Sequence, residues 1–426
     1  MTTDNITKIA ETSFVVAICD GNRTLPLPFT RSLFIPLYTH LFSPYSNIII
    51  LSVLFFLVAI RLVHPLSPRG KLVHWGREGI KETNYLVKQA CAAVPDDKDK
   101  IVLRDEIFRL ATSPNQAKQL QETAKNKNCE EFCEWMDRSQ LLKRAFIDCD
   151  AAENVHGGLR LYNGCKVLHL PSYLKGLWAA CEVLSSRSTD LCLQWEYLDL
   201  FEQDDTLKAC KDLDHHYDTI IWAAGSGLFE SEIVSDWLLQ PTLPDSSRLP
   251  FQLVRGQSVE IRFPESSQME QQQALLSGKY ISPLPDPGVV LVGATHEFAP
   301  EPLSHSEVKK EMREKTQSFC PHVWGKGSIV ERYTEGIRVQ SQRGSKGRLP
   351  IVGKLTREDE DTNLVREHWI FTGLSSRGLL YHGVYGKLLA QAISEGSEKC
   401  IETQCHDFDW WKRSKPEVND HVVPGS

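Results

Sequence analysis

The chain has 426 residues, 41% of them hydrophobic and 24% charged, and 48 Lys+Arg against 55 Asp+Glu give a net charge of −7. At roughly 100–200 residues per domain the length suits two or three domains or one large interleaved unit, and the composition excludes a disordered chain, a collagen-like fibre and a polytopic membrane protein. The acidic balance argues against bulk electrostatic binding to nucleic acid, but leaves room for a local basic patch.

The N-terminal segment, residues 1–61, differs from the rest of the chain. Phe14–Cys19 is a candidate strand, and residues 32–60 carry no Lys, Arg, Asp or Glu. Ile48–Ile60 reads IIILSVLFFLVAI. That run is shorter than the roughly 20 apolar residues of a membrane helix, and Pro36, Pro44 and Asn47 interrupt its upstream extension. Asp4, Glu11 and Asp20 precede it, which fits neither a signal peptide nor a transit peptide. Three readings are open: a single membrane anchor, a buried core helix or strand, or sequence outside the ancestral domain.

From Leu62 onward the pattern is mixed α/β. Residues 76–94, 104–126 and 129–145 are rich in helix formers and predict helices. The short apolar Lys166–Leu170 ends at Pro171, and a helix is expected from Ser172 to about Leu184. Tyr217–Ala224 is a continuous apolar run before Gly225-Ser226-Gly227, the pattern of a buried parallel strand and a tight turn. Strands are expected over 251–263, 289–293, 328–333 and Trp369–Thr372. The last leads through Gly373–Gly378 into a helix ending near Ile393, with Leu380, Val384 and Leu388 as its apolar stripe. The stretch after Glu395 is polar and reads as a loose tail.

The 12 cysteines are scattered. Neither Cys129/Cys133 nor Cys400/Cys405 continues into a second matched pair or a His pair, so no metal site is expected. Dispersed thiols point to free cysteines and an intracellular setting, cytoplasm or organelle.

Four segments carry chemistry when taken together and in order: DTIIWAAGSG (218–227), LPFQLVRGQSVEI (249–261), VVLVGATHEF (289–298) and WIFTGLSSRGLL (369–380). The set resembles the FAD-dependent oxidoreductases of the D-amino-acid oxidase family. GIRVQSQRGSKGRLPIVG (336–353) is similar to that family's Gly-x-Arg stretch, and VHPLSPRGKLVHWGREG (63–79) to its His-Pro segment. The nearest branch is the C-terminal oxidase domain of the bifunctional tRNA 5-methylaminomethyl-2-thiouridine biosynthesis enzyme. The resemblance runs from Leu62 to Ala392. It implies an α/β (mixed α+β) fold, with an incomplete FAD-binding Rossmann-like domain interleaved with an antiparallel-sheet substrate domain. The expected layout is 62–156 and 245–345 for substrate, 157–244 and 346–395 for FAD, and 396–426 as tail.

The resemblance implies FAD as cofactor and oxidation of a C–N bond in a secondary amine or amino-acid-like substrate, with carboxymethylaminomethyl-uridine in tRNA among the candidates. Gly373, Ser376, Arg377, Gly378 and Leu379 would meet the flavin, because a helix N-terminus offers free N–H groups and partial positive charge. Gly225 and Gly227 would lie near the adenosine or pyrophosphate. Arg255, Gly256 and Gln257 would link the two domains beside the flavin. Arg338 falls where the family binds a substrate carboxylate, and a guanidinium suits that contact. His64 and His296 are candidates for the active site. Each has a plainer alternative: an ordinary turn, a surface ion pair or a structural histidine. Arg343, Lys346 and Arg348 belong to an acid-free basic stretch that would hold tRNA phosphates or form a solvated loop.

The chain departs from the family at one point. It contains no Gly-x-Gly-x-x-Gly, the turn that seats a dinucleotide diphosphate on a helix N-terminus. Phe14–Cys19 runs into Asp20-Gly21, Pro26 and Pro28, which cannot open such a helix. Either Ile48–Ile60 fills the central strand position as an apolar strand or helix, or the product is unstable. Alternatives to the enzyme reading are a flavin-free relative with a membrane contact through 48–60, acting as a binding module, and a truncated or misjoined chain.

Overall fold

The fold is that of a computed structural model. It describes residues 61–145, 147, 152–187, 208, 212–213, 217–229, 238, 251–264, 272–298, 301–355 and 367–407, and the backbone of 13–19, 48–53 and 192–197.

In chain order the strands are β1 (Ser13–Cys19), β2 (Ile48–Val53), β3 (Leu62–Val63), β4 (Val102–Arg104), β5 (Ile107–Leu110), β6 (Cys133–Met136), β7 (Gly158–Leu161), β8 (Lys166–Leu168), β9 (Cys192–Tyr197) and β10 (Thr219–Trp222). There follow β11 (Phe251–Arg262), β12 (Ala274–Ser277), β13 (Lys279–Pro283), β14 (Val289–Gly293), β15 (Ile329–Ser341), β16 (Arg343–Gly344), β17 (Gly347–Arg348), β18 (Ile351–Leu355) and β19 (Glu367–Thr372). The helices are α1 (Gly76–Ala93), α2 (Pro114–Ala124), α3 (Arg138–Arg144), α4 (Leu170–Ser186), α5 (His305–Thr316), α6 (Gly378–Glu395) and α7 (Thr403–His406).

A six-stranded sheet has the order β18-β19-β10-β2-β1-β9. Its centre is parallel: β10 pairs with β19 on one side and β2 on the other. The flanking strands β18, β1 and β9 join antiparallel. Every residue of β10 is buried, as expected of a parallel strand covered on both faces. Ile48–Val53 is therefore a strand of this sheet and not part of an anchor helix, while 54–60 lie outside the described residues. Among the described residues no helix is long and apolar enough to cross a membrane.

Helices α1, α4 and α6 share one hydrophobic core with Ile221 of β10 and Trp369 and Phe371 of β19. The approach of α1 to α6 is set by Gly79: a Cβ there would stand 2.6 Å from the Leu380 carbonyl oxygen. Thr83 Oγ1 donates to the Leu379 carbonyl across the same contact at 2.8 Å.

The second sheet has eight strands in the order β15-β11-β14-β13-β12-β5-β7-β6. It is antiparallel except where β12 meets β5 in parallel. One face packs on α3 and α5 through Leu141, Leu142, Val308 and Met312. The other packs on α2 and on β3 and β8 through Ala117, Leu120, Leu62 and Val167.

Three expectations need correction. Residues 104–126 are not one helix: β5 pairs with β7 and β12, and α2 starts only at Pro114, behind the Ser113 cap. Sheet pairing outweighs helix propensity here. Residues 129–145 likewise split into β6 and α3, the latter opened by an Asp137–Gln140 capping box. The segment after Glu395 is ordered as far as Asp407, with Ile401 and Cys405 buried, while 408–426 lie outside the described residues.

Replacing Gly79 by Ala forces the α1–α6 crossing apart and is expected to lower stability by about 1–3 kcal/mol; an unchanged urea midpoint would show that the helices separate freely.

Burial lowers the pKa of His64 to about 3 and those of His169 and His382 to about 4, from 6.5. The His382 ring also shares a hydrogen bond with the Tyr173 hydroxyl at 2.8 Å. The folded state thus holds all three neutral. Their contribution to stability is full above about pH 6.5 and falls as pH drops toward 3–4, by on the order of 1 kcal/mol per pH unit for each histidine. Urea midpoints should fall between pH 7 and pH 5, and His169→Gln should flatten the slope; a midpoint independent of pH would refute this.

Candidate functional site

The three parallel strands β2, β10 and β19 end at the same sheet edge, where open α/β sheets bind ligands. β19 runs through Gly373 to Gly378 and into α6. Gly373 has φ 68°, and a Cβ on it would meet Ile351 at 2.7 Å. Arg377 occupies the N-cap position of α6 without a side-chain cap hydrogen bond, and the first turn carries no acidic residue. The helix therefore presents its free N–H groups and the positive end of its dipole. Ser376 at this entrance is exposed, Arg377 and Gly378 are half-buried, and Leu379 is buried.

β10 ends in Ala223-Ala224 and a tight turn over Gly225–Phe229. Gly225 has φ 61°, and nothing lies within 4 Å of a Cβ built on it. Gly227 is buried two residues on. Next to it the Ser226 hydroxyl is buried and unpartnered, as is the Thr372 hydroxyl at the end of β19. His64 Nδ1 is a third such atom. Burial pushes the His64 ring down to about 3, and the charges of Arg109 and Arg377 act in the same direction. Buried polar atoms without partners are rare in folded proteins, and a polar ligand is one way to satisfy them.

A second group lies on the eight-stranded sheet. Arg338 on β15 donates from Nη2 to His296 Nδ1 at 3.0 Å. Burial lowers the His296 pKa, helped by the positive charges of Arg338, Lys279 and Arg348. The ring packs edge-on to Phe298, with centroids 5.1 Å apart. The Tyr280 hydroxyl, buried against Ser258 Oγ at 3.1 Å, lies within electrostatic reach of Arg338. A bridge between Gln340 and Leu374 joins β15 to the loop before α6. Arg338 is two residues from Gln340, about 7 Å along the strand.

The structure therefore brings Arg338 and His296 together and sets His64 with Arg377. Arg255, Gly256 and Gln257 sit in the β11–β15 ladder. Gln257 is engaged as scaffold: its side-chain amide donates to the Leu303 carbonyl at 3.1 Å and accepts from the Leu303 N–H at 2.9 Å. Arg255 pairs with Glu335 at 3.3 Å. Tyr280, Ser226 and Thr372 join the site without any signal in the sequence. What they share is burial of a polar group, which no local pattern reveals. The eight described cysteines are free thiols, and burial pushes Cys133 up to about 12, far from a nucleophile's range.

The residues fit a flavin at the edge formed by β10, β19 and α6. They do not supply a glycine-rich diphosphate turn after β2, because 54–60 read LFFLVAI.

No curated protein matches this chain. Solved structures do. Glycine oxidase from Bacillus cereus has 15% identity and a TM-score of 0.52 over 75% of this chain and 81% of its own. L-proline dehydrogenase from P. horikoshii has 11% identity and a TM-score of 0.55, with coverage of 82% and 87%. Iminodiacetate oxidase from Chelativorans sp. BNC1 has 14% identity and a TM-score of 0.53, with coverage of 81% and 88%. At these identities the likeness is one of fold. The sequence profile of the family described as FAD dependent oxidoreductase, DAO, matches residues 58–392, well over half of the chain, and the protein belongs to that family.

Proposed function

We propose that the protein is an FAD-dependent oxidoreductase that oxidises a C–N bond of a secondary amine or amino-acid-like substrate. The observation that carries this reading is the pair of buried, unpartnered Ser226 and Thr372 hydroxyls at the adjacent ends of β10 and β19, with the uncapped start of α6 following β19. FAD, when bound, supplies the acceptor for the hydride that leaves the carbon next to nitrogen. The α6 N-terminus and Arg377 provide positive potential at its ring, and Gly225, Gly227, Gly373, Ser376, Gly378 and Leu379 give backbone access. His64, held neutral, offers a polar contact without adding charge.

Arg338 is assigned to the substrate carboxylate, and His296 positions it by accepting its Nη2 hydrogen bond. Three neighbours in fold are named for glycine, L-proline and iminodiacetate, all carboxylated amines, which supports a substrate of this class. A finer reading is a carboxymethylaminomethyl group on a tRNA base. The β16–β17 hairpin, with Arg343 and Lys346 exposed, supports it as a phosphate contact. In the same reading 245–345 serve the substrate and 346–395 the cofactor, but the expected bounds 62–156 and 157–244 are crossed: α1 packs on the six-stranded sheet of the cofactor side, and β7 lies in the eight-stranded sheet of the substrate side.

Purified protein should be yellow, and a carboxylated secondary amine should bleach it anaerobically; a folded protein that stays colourless with added FAD sinks the proposal. Bleaching by modified tRNA but not by free amines would select the finer reading. Arg338→Met is expected to raise KM for a carboxylated amine by about 10–100-fold, the worth of a charged hydrogen bond. A decarboxylated analogue should be unaffected, and equal loss on both would remove Arg338 from the carboxylate site.

A further inference from the structure

The family profile ends at residue 392, and the chain beyond it folds back onto the body. Ile401 and Cys405 join the core shared by α1, α4 and α6. Between them stands Glu402, its side chain 10% exposed. One carboxylate oxygen, Oε1, accepts from His74 Nε2 at 2.8 Å and also from Trp75 Nε1.

The clamped pair forms the turn that opens α1. Trp75 is the N-cap residue of that helix at φ 53°, and no side-chain cap bond holds it. An aromatic residue seldom adopts this left-handed conformation. It persists only where the surroundings fix it, and Glu402 supplies such a contact. The same turn reaches α6, because the His74 carbonyl accepts from the Tyr381 hydroxyl at 3.0 Å.

Tyr381 is 1% exposed and lies on α6 four positions after Arg377, so the two side chains share a helix face. Burial pushes the Tyr381 hydroxyl up to about 12, while Arg377 pulls the other way by charge and by hydrogen bonding. A phenol hydroxyl gives its one hydrogen to the carbonyl and still accepts from a guanidinium. Arg377 forms no salt bridge among the described residues, so no carboxylate sets its direction. The contacts therefore run from Glu402 through the His74–Trp75 turn and Tyr381 to Arg377.

We infer that Tyr381 and Glu402 are positioning residues: through the His74–Trp75 turn they hold the Arg377 guanidinium at the start of α6, where its charge favours the anionic reduced flavin. The inference rests on the flavin reading.

The test uses the full chain as wild type, Arg377→Met, Tyr381→Phe, Glu402→Ala and Glu402→Gln. The two-electron potential of bound FAD is read by reduction in equilibrium with a dye. Arg377→Met sets the scale: its preference for reduced over oxidised flavin should weaken about 10-fold, which is about 30 mV for two electrons. Tyr381→Phe, which keeps the buried ring, and Glu402→Ala should each lose roughly 3–10-fold in the same direction, the scale of one hydrogen bond to a charged group. Glu402→Gln should keep the wild-type potential, because its Oε1 still accepts both bonds. On the Arg377→Met background Tyr381→Phe should add nothing, the mark of action through Arg377. Variants at Tyr381 and Glu402 that melt lower but keep the wild-type potential overturn the inference, as does a shift that persists without Arg377. If Arg377→Met leaves the potential unchanged, the guanidinium does not face the flavin, and the inference falls while the flavin reading stands. If wild type binds no FAD, the functional reading fails along with it.

Discussion

The pairing of β2 with β10 is the constraint on which the site depends. β10 is buried along its whole length, and its backbone needs a ladder on both sides. β19 supplies one, with Thr219–Trp222 in register with Glu367–Ile370. β2 supplies the other, in parallel over Ile48–Leu51. Without β2, a buried strand would carry a row of unsatisfied N–H and C=O groups. With it, three strand ends share an edge, and a crevice there becomes a consequence of topology. The family profile begins at residue 58, so this completing strand comes from sequence that the profile does not cover.

Charge is distributed unevenly in the interior. Arg61 and Arg109 are almost wholly buried, and burial draws Arg109 down to about 10. Arg109 spends one N–H on the Ser67 carbonyl, whereas Arg61 has two nitrogens unspent. His64, His169 and His382 are held neutral by the same burial. The interior thus favours neutral histidines and tolerates cations. An anionic ligand would meet attraction there without a neighbouring imidazolium changing its charge near neutral pH.

The parts legible in the sequence are those whose burial is uniform or whose periodicity is clean. Ile220–Ala224 and 289–293 are apolar throughout and mark β10 and β14. Leu380, Val384 and Leu388 mark α6. The region 104–126 reads as helix because β5 is only four residues long and Gln- and Lys-rich sequence surrounds it. Ser113-Pro114 is the signal that corrects this, since a capping Ser before Pro marks a helix start. At the site, Arg338 and His296 are visible as suitable residue types, but not their hydrogen bond, which spans 42 positions. Arg61 is invisible because an arginine beside an apolar run reads as a boundary. Only the tertiary surroundings reveal that it lacks a partner.

The three strand ends are chemically unequal, and this gives the crevice a direction. β10 and β19 both lead into glycines with positive φ, Gly225 at 61° and Gly373 at 68°. Such residues turn the backbone sharply and let a flat or extended ligand approach it closely. β2 is followed in the sequence by Leu54-Phe55-Phe56-Leu57, with no glycine. Backbone N–H groups recognise a ligand by close contact, so the ends of β10 and β19, followed by the start of α6, are where the proposed flavin edge can be met closely.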